Sequence, residues 1–155
     1  MKQQKKITMK KVLFVLVAIF ALMQLYHPAK NISGGVSANA IERHYNVPQN
    51  VGTLLRTNCY DCHSNNTKYP WYNNIQPVAL WLNSHINDGK RHLNFDEFYT
   101  YPAEKKIKKL QEIAKTVEKD EMPLSSYTLI HGDARLSTEN KKVLIDWATA
   151  LSKAQ

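Results

Sequence analysis

The pentapeptide Cys59-Tyr60-Asp61-Cys62-His63 constrains this chain more than any other stretch. It has the form C-x-x-C-H, the attachment signature of a c-type haem. Two thiols three residues apart on one helical turn can both reach a single porphyrin edge and form thioether bonds. The adjacent imidazole of His63 then lies beneath the ring, where it can ligate the iron. The motif therefore predicts Cys59 and Cys62 as covalent attachment points of one haem c, and His63 as its proximal ligand. Without the histidine the same cysteines would read as a thiol redox pair or half a zinc site.

The chain holds only these two cysteines, so no disulfide framework can staple the fold. A zinc site would have to recruit a distant histidine to a Cys2His2 set. At 155 residues the chain is long enough for one domain with appendages. Its net charge of +8 falls to +3 once Lys2, Lys5, Lys6, Lys10 and Lys11 are set aside. The remaining excess gathers at Lys105, Lys106, Lys108 and Lys109, a pattern that reads as a solvated helix face. No motif for nucleic acid accompanies it, and no nucleic-acid partner is expected.

Val12 to Leu25 is an uncharged, mostly apolar run directly after Lys10 and Lys11. It reads as an export signal or a membrane anchor. No small-x-small cleavage site follows at the usual distance, which favours an uncleaved transmembrane helix with the lysines on the cytoplasmic side. The expected organisation is a signal-anchor or signal peptide over 1–26, a flexible linker over 27–46, and a haem-binding domain over 47–155. The domain would then sit in the periplasm, held to the inner membrane or released by cleavage. Covalent haem attachment takes place on that side, so topology and motif agree.

Downstream of Pro48, Val51, Leu54, Leu55 and Cys59 recur at helical spacing and predict a helix that ends in the motif. The aromatic cluster Tyr69, Trp71 and Tyr72 requires burial, against the haem face or in an ordinary core. A second helix is expected from Pro77 to a stop near Gly89. Asn94 with Glu97 resembles a capping box. A longer helix runs from Pro102 to about Lys119, residues 124–136 read as irregular, and Ser137 caps a last helix through Trp147. No run alternates as a strand, so the fold class is all-α.

Asn58-Cys59-Tyr60-Asp61-Cys62-His63-Ser64, Tyr69-Pro70-Trp71-Tyr72, Gly89 with Leu93-Asn94-Phe95, Glu121-Met122-Pro123, Tyr127 with His131, and Leu136-Ser137 leading to Trp147 occur in that order. Over residues 47–150 this succession resembles the bacterial haem-binding domain family of small, envelope-located, c-type cytochrome-like proteins. The resemblance implies one covalent haem in a small cytochrome c-like helical domain. Met122 resembles the distal methionine of class I cytochromes, on an extended segment before the final helix. His131 and His85 are the alternative distal ligands. Methionine ligation would saturate the iron and suit single-electron transfer with redox partner proteins. An open distal site would instead suit an enzyme or sensor for peroxide or a gas. The favoured reading is an electron carrier and not an enzyme.

Overall fold

The apolar run after Lys11 forms a helix, α1 (Met9–Met23), in which no residue is buried. The structure is a computed structural model that describes residues 8–155. Lys2, Lys5 and Lys6 lie outside the described residues. Fifteen residues at a rise of ~1.5 Å make about 22 Å, short of the ~30 Å hydrocarbon core of a bilayer. Among the described residues no helix is long and apolar enough to cross a membrane, so the expected transmembrane helix finds no support in α1.

Two compact units divide the chain, the first formed by Met1–Lys30 with Tyr69–Ser84. In it, Gln76 N donates to the Gln24 side chain at 2.9 Å, and Gln76 Nε2 donates to the Tyr26 carbonyl at 2.6 Å. A 3-10 turn over Trp71–Asn74 follows Pro70, and α5 (Val78–His92) begins in this unit. Tyr69 and Tyr72 are half-buried, whereas Trp71 is 75% exposed, against the expectation that it would be buried with them.

The second unit comprises Asn31–Lys68 and His85–Gln155. It contains α2 (Ile41–His44), α3 (Gln49–Asn58), α4 (Tyr60–His63), the C-terminal part of α5, α6 (Ala103–Glu118), α7 (Ser125–Ile130) and α8 (Thr138–Lys153). Short 3-10 turns occupy Phe95–Thr100 and Gly132–Ala134. Among the described residues there is no strand, only the isolated bridge between Ile32 and Asn66, so the fold is all-helical. Leu110, Ile113 and Val117 of α6 meet Leu144, Trp147 and Ala148 of α8 in a core that also takes Val51 and Leu55 of α3. Phe95 and Phe98 are fully buried there, each removal from water being worth about 1.5–3 kcal/mol. Ser137 caps α8 by accepting from Asn140 N at 3.2 Å.

Three local expectations are corrected. Residues 31–46 do not behave as a flexible linker, because their small polar groups pair with the loop that follows α4. Asn31 donates to the Ser64 carbonyl at 2.8 Å, Ser33 N donates to the Asn65 carbonyl at 3.0 Å, and Ile41 is wholly buried in the core. Residues 124–136 are not irregular, since α7 and a 3-10 turn fill them. Gly89 does not end α5, which continues to His92. Asn94 does cap the next turn, accepting from Asp96 N at 3.0 Å. Glu97, however, accepts from Asn39 and Asn65 instead of closing a capping box.

Candidate functional site

The C-x-x-C-H segment begins where α3 stops. Cys59 (φ −126°, ψ −40°) breaks the helix, and α4 carries Tyr60–His63 as one further turn. Asp61 holds this turn from outside. Its Oδ1 accepts from Lys68 N at 3.0 Å and its Oδ2 accepts from the Tyr127 hydroxyl at 2.8 Å. Burial, and then the contact with Asp61, keeps the Tyr127 hydroxyl protonated beyond its ordinary range. On the other side α5 approaches so closely that a Cβ on Gly89 would stand 2.6 Å from the Cys62 carbonyl oxygen. The glycine is there for that approach, not for a helix stop.

His63 is oriented by one contact. Its Nδ1 lies 2.9 Å from the Leu93 carbonyl oxygen, which can only accept, so Nδ1 carries the proton and Nε2 keeps its lone pair. Fixing one ring nitrogen in this way is how proteins prepare the other as a metal ligand. Burial lowers the pKa of His63, opposed by the carbonyls of Leu93 and Gly89 and assisted by His92 and Lys109. The neutral, ligating form is therefore favoured.

Both cysteines are half-buried and free. Burial pushes the Cys59 thiol up to about 12, with Cys62 adding to the shift. Burial also raises Cys62 to about 11, helped by the charge of Asp61. Such thiols lack the thiolate character that a redox cysteine pair needs at neutral pH. Among the described residues no group of three or more His, Cys, Asp or Glu side chains is placed to hold a metal ion.

A cleft of about 330 Å³ opens beside His63, and a second of about 170 Å³ lies next to it. Both are walled by Asn58, Cys59, His63, His92, Met122 and Pro123, so they are lobes of one site. Phe95, Ile113 and Val117 line the larger lobe, and Cys62, His85 and Tyr127 line the smaller. The size of the larger lobe lies within the range of about 300–1,000 Å³ typical of cofactor sites. The donor set fits haem: two thiols, an imidazole with a free Nε2 and a thioether share one largely apolar cleft. Asn58 adds a further sign, because its Oδ1 is buried in the wall without a hydrogen-bond partner. Leaving such an acceptor unpaired costs about 1–3 kcal/mol, which marks the wall as incomplete with polypeptide alone.

The placement of Met122 follows from the end of α6. Asp120 takes a left-handed conformation (φ 59°), and the amides of Glu121 and Met122 both donate to the Thr116 carbonyl, at 2.9 and 3.2 Å. The chain thereby folds back and presents Met122 to both lobes. His85 reaches only the smaller lobe, while His131 walls neither and instead stacks on Tyr127 at 4.4 Å.

Two residues at the site were not singled out by sequence. His92 walls both lobes, and its spacing from His85, seven residues along one helix, was the available signal. Lys109, grouped with solvated lysines, has a side chain only 13% exposed, pairs with Glu112 at 2.6 Å and lines the larger lobe. It stands four residues before Ile113, on the stripe that faces the cleft.

No curated protein and no solved structure matches the chain. The profile of the haem-binding domain family matches residues 18–150. That span exceeds the resemblance read from 47–150 by residues 18–46, of which Asn31 and Ser33 pair with the segment after the motif. Haem is thereby supported as the cofactor, and this protein is a member of the haem-binding domain family.

Proposed function

We propose that the domain carries one haem c, joined by thioethers to Cys59 and Cys62, with His63 Nε2 as proximal ligand and Met122 as distal ligand. The observation that carries this reading is the hydrogen bond from His63 Nδ1–H to Leu93, which leaves Nε2 as the unprotonated nitrogen of a ring that lines a cleft shared with Cys59 and Met122. A haem held in this way supplies reversible one-electron chemistry at its iron. The chain's own residues do the rest. Burial keeps the imidazole neutral, the Leu93 carbonyl orients it, and Phe95, Ile113 and Val117 exclude water. His92 and Lys109 supply nitrogen hydrogen-bond donors suited to the propionates.

On this reading the protein is a monohaem electron carrier with a cytochrome c-like role, exchanging electrons with partner proteins in the periplasm. Residues 1–26 act as the export signal or membrane anchor that places the haem domain on the outer side of the inner membrane. Expression with the haem-attachment machinery, followed by a denaturing gel and haem stain, tests attachment. A stained band is expected, and an unstained band would refute it. Slow, substoichiometric binding of carbon monoxide to the reduced protein is expected for a saturated iron. Rapid full binding would favour an open distal site instead.

A further inference from the structure

The segment Tyr69-Pro70-Trp71-Tyr72 takes no part in the cleft. It belongs to the unit built from α1 and residues 69–84. We infer that the C-terminal end of α1 and residues 69–84 form one lipid-binding surface, with Tyr26, Trp71 and Trp81 seated in the headgroup layer of a phospholipid bilayer. This goes beyond the haem reading and does not depend on it.

The first support is the form of α1. Its large apolar side chains other than the half-buried Met23 are exposed from 44% at Val12 to 85% at Met9, and no residue of the helix is buried. A helix made to dock on one protein partner keeps a polar back, whereas a helix apolar all round matches a medium that surrounds it. The second is what lies at its end. Tyr26, Trp71 and Trp81 are 61%, 75% and 46% exposed, and rings with an apolar body and a polar edge favour the boundary between hydrocarbon and water.

The third support is how the segment is held. Gln76 is wholly buried and ties residues 69–84 to α1 through Gln24 and Tyr26. His27 and the Asn74 carbonyl add a contact at 3.4 Å. Polar groups satisfied inside the unit suit a surface that borders a low-dielectric phase. Charge completes the pattern, because Lys10 and Lys11 lie in the first turn of α1 and Lys30 lies over the Tyr69 ring at 5.6 Å. Cations so placed fit anionic headgroups. Seating in this manner requires no crossing of the bilayer by α1.

The test uses the full-length, haem-loaded chain reconstituted in vesicles of phosphatidylcholine and phosphatidylglycerol. A phosphatidylcholine with a photoactivatable diazirine near the headgroup end of one acyl chain serves as the probe. After illumination, peptide mass spectrometry is expected to find lipid adducts on residues 69–84 as well as on α1. The double variant Trp71→Ser with Trp81→Ser should lose most adducts on 69–84 and retain those on α1. Lipid adducts confined to α1, or no adducts at all, would each overturn the inference. Haem absorption and haem stain on the same samples report the haem reading separately, so failure of one is distinguishable from failure of the other.

Discussion

The chain carries two apolar surfaces of opposite shape. One is concave, walled by Phe95, Ile113, Val117 and Met122, and pierced by two thiols and one oriented imidazole. The other is convex, spread over α1 and the exposed Trp71, Leu80 and Trp81, with its polar groups tied off internally. The residue types overlap, so hydrophobicity alone does not separate their roles. What separates them is curvature and convergence. Side chains that converge on a cleft can ligate one flat molecule, whereas side chains that diverge from a helix can only be bathed by a continuous phase.

The largest effect should come from removing the concave surface's covalent chemistry. Cys59→Ser with Cys62→Ser is expected to abolish haem staining of the denatured chain completely while leaving lipid adducts on α1 and 69–84 unchanged. Staining that survives would mean attachment elsewhere. Next comes Gly89→Ala, which puts a methyl 2.6 Å from the Cys62 carbonyl oxygen. Overpacking of this kind costs about 1–3 kcal/mol, so the yield of haem-loaded protein and its urea midpoint should both fall. Wild-type values for both would show that α5 does not brace the motif.

Met122→Ala is expected to eliminate the sulfur-to-iron charge-transfer band with haem still attached. The reduction potential should also drop, and a retained band would remove Met122 from the iron. Tyr127→Phe deletes the hydrogen bond to Asp61. A half-buried bond to a carboxylate is worth about 1 kcal/mol, to be read as a lower urea midpoint with an unaltered haem spectrum. The smallest effect belongs to the convex surface. Trp71→Ser should change stability by no more than about 0.5 kcal/mol, as an exposed position predicts, and leave the haem spectrum as it was. A shifted spectrum would link Trp71 to the cleft and break the comparison.

How much was legible follows from whether the information is local. Cys59, Cys62 and His63 are contiguous, and the helix that delivers them has an unbroken apolar period, so motif and α3 were readable. Pro123 marked Met122 as lying outside a helix. Gly89 misled because a glycine near a helix end usually serves as a cap, whereas its close approach to Cys62 is a tertiary contact with no local trace. Asn31, Ser33 and Gly35 have the composition of a tether, yet their polar groups are partners for residues 64–67. Trp71 looked like core because a bulky ring in a small domain usually is. Pattern reports that a ring is apolar, not which surface receives it. Lys109 shows the same limit in reverse, a charge whose stem and partner Glu112 line an apolar cleft.

The account stands on covalent attachment of a single haem at Cys59 and Cys62. Mass spectrometry of the exported, denatured protein, paired with its absorption spectrum, tests that most directly. The prediction is one haem per chain retained through denaturation, mapped to the peptide that contains both cysteines. A polypeptide mass without haem, from cells whose attachment machinery is active, would contradict it.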